Sequence, residues 1–236
     1  MAVASRVGGR PPLIAVDDIV RAGRELGMQR LSVNAVAARL GVSATALYRH
    51  VEGRWELERL VGESLLADLE LRDEPSADTE RHLLTFGLQL FEFATAHRGL
   101  ASYLQVLFPR GTAGARLLAD EVEALGRRGY VAEAAVVLGS AVATLAISLA
   151  AREESNAEAT GGDDAGGFAA ERDAVADRLV ADAQFGATHS ALPQVSSAEF
   201  VRLLLTAAIR GLVSAIPPAR PIHDVVAELT AAREDR

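Results

Sequence analysis

A chain of 236 residues, half of them apolar, is long enough to bury a real core in one large domain or two small ones. Aromatic residues are scarce at 5% and alanine is abundant, which favours aliphatic helix packing over an aromatic-rich sheet, and the lack of cysteine excludes disulfides, thiolate catalysis and cysteine metal sites. The net charge of −8 argues against a surface that binds polyanions indiscriminately, yet residues 1–54 carry eight arginines against four acids while the remainder carries sixteen against twenty-eight. Every basic residue other than histidine is arginine, a bias typical of GC-rich bacterial coding and not a functional signal.

The predicted elements begin after a Gly/Arg/Pro-rich arm over residues 1–11, expected to be flexible. Pro11 and Pro12 suit the start of a helix, where a missing N–H is tolerated. Val16, Ile19, Val20, Gly23 and Leu26 then follow a helical stripe that Gly27 ends. Ser32 suits the N-cap of a second helix with Val33, Val36, Ala37 and Leu40 inward, and Gly41 its C-terminal stop. Ser43 caps a third helix expected to reach about Val51, and a fourth follows from Arg54 to Leu71 with Leu57, Leu60, Val61, Leu65 and Leu69 at helical spacing.

Further helices are predicted over about 77–97, 99–108, 113–128, 131–155, 168–184, 197–216 and 221–233. The polar, low-complexity run at 156–167 reads as a loop. No start segment has the apolar core of a signal peptide. The apolar run Val131–Ala151 contains Glu133, Ser140, Thr144 and Ser148 and is dominated by alanine, so a buried or interface helix is expected in place of a membrane span. A cytoplasmic protein is the expectation.

Two short helices joined through Leu40-Gly41-Val42-Ser43 have helix-turn-helix spacing. Ala37 and Ala38 are small enough for close approach of the two helices, and Val42, Leu47 and Val51 are expected to face the core. Ala44, Thr45, Tyr48 and Arg49 then point outward. Tyr48 and His50 can donate to phosphate, Arg49 to phosphate or a guanine edge, and Ser43 lies at a helix N-terminus whose N–H groups attract phosphate. Arg54 could clamp another phosphate.

The run Leu31-Ser32-Val33, Val36-Ala37, Leu40-Gly41-Val42-Ser43 and Leu47-Tyr48-Arg49-His50-Val51 resembles the N-terminal domain of TetR-family (tetracycline-repressor-like) regulators. Ala22-Gly23, Leu26-Gly27 and Trp55-Glu56-Leu57 extend the match over residues 13–60. The resemblance implies that Ser32 and Asn34 approach DNA from the second helix. It also implies that Ser43, Ala44, Thr45, Tyr48, Arg49 and His50 lie on the recognition helix and that Arg54 sits at a phosphate-binding position. Glu52-Gly53 stands where the family commonly has a lysine-rich stretch.

The family fold implies an all-α chain: a three-helix DNA-binding domain at 12–53, and a helical ligand-binding and dimerisation domain at 54–236. More loosely, Ala96-His97-Arg98-Gly99-Leu100, Gly126-Arg127-Arg128-Gly129-Tyr130 and Ile209-Arg210-Gly211-Leu212 fit the same family. A homodimer is implied, with Leu138, Val142, Leu145 and Leu149 on one interface helix and Val201, Leu204, Leu205, Ala208 and Leu212 on another. A ligand pocket is implied inside the second domain. Its candidate lining is His82, Phe86, Gln89, Phe93, Tyr103 and Phe108, with Leu117, Glu121, Val137, Ser140, Thr144 and Ser148.

The tetracycline repressor uses a histidine after its fifth helix to help hold the drug's magnesium. The similar stretch here, Leu104-Gln105-Val106-Leu107-Phe108, has none, so an apolar or amphipathic effector is expected, with no metal or cofactor. The expected activity is regulation, as a repressor, of a palindromic double-stranded operator, relieved by a small molecule. Two other classes remain open on the residues alone: a helical protein-interaction module, and an all-α enzyme. Against the enzyme, neither a glycine-rich phosphate loop after a strand nor a G-x-S-x-G elbow occurs.

Overall fold

The computed structural model describes residues 14–106, 108–162 and 165–234; the expected arm, the Pro11–Pro12 helix start, Leu107 and Asp163–Asp164 lie outside them. Among the described residues there are twelve α-helices and no strand. The first, α1 (Val16–Leu26), opens with the Asp18 carboxylate accepting from the Ala15 N–H at 3.1 Å, and two aspartates complement its N-terminal dipole. Ile19, Ala22 and Gly23 turn inward. Gly23 lies so close to Val61 that a Cβ there would overlap the valine side chain. A single 3-10 turn (Met28–Arg30) leads to α2 (Val33–Leu40) and α3 (Ala44–Leu47).

The fourth helix, α4 (Arg54–Leu66), packs on α1 and also meets α6 and α7, with Leu57, Val61, Leu65 and Leu66 buried. It ends five residues short of the expected Leu71. Next come α5 (Thr79–Ala96), α6 (Leu100–Leu104), α7 (Thr112–Arg127) and α8 (Ala132–Gly161). The chain continues through α9 (Ala165–Ala181), the short and unanticipated α10 (Gly186–Ser190), α11 (Ser197–Ala215) and α12 (Ile222–Glu234). Helix α8 is the hub, packed on α5, α7 and α11. One continuous apolar cluster runs from Ile19 and Leu47 through Leu83 and Leu138 to Leu205.

Two corrections concern lengths. The expected 156–167 loop is helical through Gly161, because Ala and Glu propagate a helix well and the end of α8 is anchored. Glu154 accepts from the Gly99 N–H at 3.0 Å, and the Glu158 carboxylate takes the Gln29 side-chain amide. The third helix is only four residues long. Its next turn closes through i−3 bonds, Arg49 N–H to Ala46 O at 3.4 Å and His50 N–H to Leu47 O at 2.8 Å. Burial of Val51 and the turn at Gly53 pull the chain off the helical path there.

Helix α8 is long and apolar enough to cross a membrane, but half of its most apolar window is buried against the protein. Leu138, Val142, Ala146 and Ala150 make that buried face, the pattern of a core helix.

Candidate nucleic-acid interface and effector cavity

The helix-turn-helix is set by three local devices. The Ser32 hydroxyl accepts from the Ala35 N–H at 3.1 Å, and the Ser43 hydroxyl from the Ala46 N–H at 3.2 Å. Between them Gly41 adopts φ 69°, a left-handed conformation that glycine takes without steric cost. Each capping hydroxyl keeps its own proton for an external acceptor. Leu47 and Val51 are buried as expected, with Val42 packed partly against them. Ala37 is buried but Ala38 is exposed.

Around this core, Ser32, Asn34, Ser43, Thr45, Tyr48, Arg49 and Arg54 are exposed, while Ala44 and His50 are half-buried. Tyr48 is 57% exposed, which leaves its hydroxyl open to an external acceptor. Arg49 has no ion-pair partner among the described residues, whereas Arg54 Nε donates to Glu58 at 2.6 Å. The same Glu58 lies 3.6 Å from Arg110, whose guanidinium sits over the rings of Trp55 and Tyr103 at 5.2 and 4.5 Å. Arg110 precedes α7, so this chain of contacts joins the candidate phosphate clamp to the start of α7. Sequence reasoning missed Arg110, since nothing local marks it. Burial pushes the Tyr103 hydroxyl up to about 12, helped by the nearby Glu63 carboxylate.

A cavity of about 290 Å³ opens between the end of α4 and helices α5 to α8. Of the sequence candidates, Phe86, Phe108, Leu117, Glu121, Ser140 and Thr144 line it. His82 and Gln89 line a neighbouring recess of about 220 Å³ that shares Phe86 and Glu121. The other four lie elsewhere. Phe93 packs on the His97 ring at 4.3 Å, and Tyr103 points at Arg110. Val137 and Ser148 are exposed outside the α8 face that turns Gly139, Ser140, Ala143, Thr144 and Ile147 to the cavity. Gln89 closes the recess by accepting from the Arg72 N–H at 2.8 Å.

Between cavity and recess lies a buried polar relay. His82 Nε2 is 3.1 and 3.2 Å from the two Glu121 oxygens, and its Nδ1 is 3.0 Å from Asp73. Asp73 in turn accepts from Arg128 at 2.6 Å and Arg127 at 2.7 Å. Burial alone would raise the Asp73 carboxyl; the hydrogen bonds from Arg128 and Arg127 outweigh it and bring it down to about 2. His82 and Glu121 were singled out from the sequence, but as separate lining residues.

The interface stripe is turned differently from expectation. Leu138, Val142, Leu149, Val201 and Leu205 are buried in the chain's own core and have almost no surface left for a partner. Leu145, Leu204, Ala208 and Leu212 are half-buried. The reason is that α5 packs against both α8 and α11 and takes the apolar face that the stripe assigned to a second copy.

No family model matches the chain, and no curated protein matches it. Solved structures do. ActR of Streptomyces coelicolor, a TetR family protein crystallised with actinorhodin, superposes with a TM-score of 0.72 at 25% identity, over 89% of this chain and 100% of that one. TetR from Acinetobacter baumannii AYE gives 0.59 at 16% identity, over 86% and 98%. BioQ of Mycobacterium smegmatis gives 0.58 at 18%, over 85% and 98%. Over most of its length, this chain has the all-helical fold of the TetR-family regulators.

Proposed function

We propose that the protein is a ligand-responsive transcriptional regulator that binds a palindromic operator as a homodimer, represses from it, and is released by a small apolar or amphipathic molecule. The observation that carries this reading is a donor-bearing, exposed helix-turn-helix surface and a separate apolar cavity on one chain, joined by α4. Tyr48, Arg49 and the Ser32 and Ser43 hydroxyls supply the phosphate and base contacts, with Asn34 and Thr45 beside them. Glu52 marks the edge of the footprint. Support for the ligand comes from neighbours of the same fold: ActR has been crystallised with actinorhodin and with (S)-DNPA, and a variant of TetR from Acinetobacter baumannii with minocycline.

Two recognition helices about 34–36 Å apart would read successive major grooves. A ligand preferring another separation lowers DNA affinity by its differential binding energy, about 1–3 kcal/mol. The path runs from the cavity through Arg110, which follows the cavity residue Phe108 by two positions, to Glu58 and Arg54 on α4. For the dimer, the strip Leu203, Leu204, Ala207, Ala208, Gly211 and Leu212 on α11 is partly or fully exposed and rich in small residues that permit close helix approach. No catalytic role and no cofactor enter this reading, and it places the protein in the cytoplasm.

The deciding experiment titrates the full chain against its own promoter DNA over a range of salt. Specific binding that weakens steeply with salt is the expected result. A Tyr48→Ala/Arg49→Ala variant should keep helical content and oligomeric state while losing that binding. Wild-type protein that ignores the DNA at low salt would remove the basis for the proposal.

A further inference from the structure

We propose that Glu121 is the polar anchor of the cavity and that it selects ligands presenting a hydroxyl or phenol on an otherwise apolar body; this rests on the ligand-responsive reading above. The cavity wall is built largely from Leu66, Phe86, Leu90, Leu117 and Ile147, and among its described lining residues Glu121 is the one ionisable side chain. That carboxyl is 4% exposed. A carboxyl in such a wall needs compensation, and a single imidazole provides it from behind.

Counting donors defines what the pair can offer. Asp73, held by two guanidinium groups, is an acceptor, so His82 Nδ1 donates to it. One proton then lies between His82 Nε2 and Glu121, whether on nitrogen or on oxygen, and the pair carries no net charge. His82 is the only hydrogen-bond partner of Glu121 among the described residues. A carboxylate has about four lone-pair sites, so acceptor capacity remains for the cavity side. A ligand O–H can fill it. A ligand carboxylate brings only acceptors, and an ether has no proton to give.

Packing on α8 preserves this arrangement. A Cβ on Gly139 would stand 3.0 Å from Glu121 Cγ and 3.9 Å from its Oε1, so glycine at 139 leaves the carboxyl its room. On the far side, the Asp73–Arg127–Arg128 cluster fixes the ring that holds Glu121. The anchor is thereby oriented before any ligand arrives, which reduces the ordering cost of binding.

The test uses three probes of one shape: a naphthol, its methyl ether and the matching naphthoate. Each is titrated calorimetrically into the full-length protein, with promoter-DNA affinity followed in parallel. The naphthol should bind tighter than the ether by a factor of about ten or more, and the naphthoate weakest. In Glu121→Leu the naphthol–ether difference should vanish. If that variant loses helical content, Gly139→Ala, which crowds the carboxyl, should narrow the same ratio. Equal wild-type binding of naphthol and ether, a ratio that persists in either folded variant, or no binding of any probe would overturn the assignment. Selectivity lost while promoter binding stands counts against Glu121 alone. Selectivity retained without promoter binding counts against the regulator reading alone.

Discussion

His82 Nε2 sits 3.1 Å from Glu121 Oε2, with both side chains 4% exposed and 39 residues apart in sequence. A polar pair this deep in an apolar core stabilises the fold only while both members are present, because either one alone is a buried group without a partner. His82→Leu is therefore expected to lower stability by about 1–3 kcal/mol, read as a lower urea midpoint. Adding Glu121→Leu removes the orphan and should recover part of the loss. A double variant whose loss equals the sum of the single losses would show that the two side chains do not interact.

Asp73 gives the pair a pH signature. Its carboxyl ionises at about 2 in the folded protein against 3.8 as a free side chain. A depressed carboxyl contributes stability that is present above the unfolded value and lost as pH falls through the folded one. The contribution of Asp73 should thus be complete above pH 3.8 and fade toward pH 2. Asp73→Asn is expected to be less stable than wild type at neutral pH, with the gap closing across that window. Denaturant midpoints for both proteins as a function of pH check it, and a gap that stays constant to the acid end would contradict the linkage.

At the DNA surface, the two kinds of contact separate by salt. Arg49→Ala should weaken promoter binding and reduce the slope of log affinity against log salt by about 0.9 if it neutralises one phosphate. Asn34→Ala should leave that slope unchanged, since a neutral side chain releases no counterion. Fluorescence anisotropy at several salt concentrations reads both.

The Arg54–Glu58–Arg110 chain predicts a coupling defect distinct from a binding defect. Arg110→Ala should leave affinity for the naphthol nearly unchanged, because Arg110 does not line the cavity. The ligand-induced change in DNA affinity should shrink, by about 0.5–2 kcal/mol of coupling energy. An unchanged linkage, measured as DNA affinity with and without saturating ligand, would eliminate this route.

Gly23 reports on the α1–α4 contact. Gly23→Ala places a methyl group against Val61 and should cost about 1–3 kcal/mol through overpacking. Val61→Ala in the same chain should restore part of the loss. Thermal unfolding of the single and double variants decides it.

The parts of this fold legible in the sequence are those set within one helical turn. Ser32 and Ser43 cap helices through N–H groups three residues away, and Gly41 ends α2 through its own backbone angle. The exposed Tyr48–Arg49 face follows from burying Leu47 and Val51 on the other side of the same short segment. Of the pocket candidates that the family resemblance implied, Phe86, Phe108, Leu117, Glu121, Ser140 and Thr144 line the cavity, whereas Phe93, Tyr103, Val137 and Ser148 lie elsewhere, since which face of a helix meets a cavity depends on its neighbours.

What the sequence determined by itself was the all-helical class, most helix positions and the helix-turn-helix, since capping, glycine angles and apolar periodicity are local. The tertiary structure alone decided which element each apolar stripe meets. Most of the stripe of α8, and Val201 and Leu205 of α11, are core because α5, α8 and α11 pack on one another, which leaves Leu204, Ala208 and Leu212 as the partly exposed part of the α11 stripe. It also decided that Asp73, His82 and Glu121 form one relay and that Arg110 reaches Glu58. Those contacts join residues on separate helices, and their existence depends on how the helices cross, which no spacing along a single helix encodes.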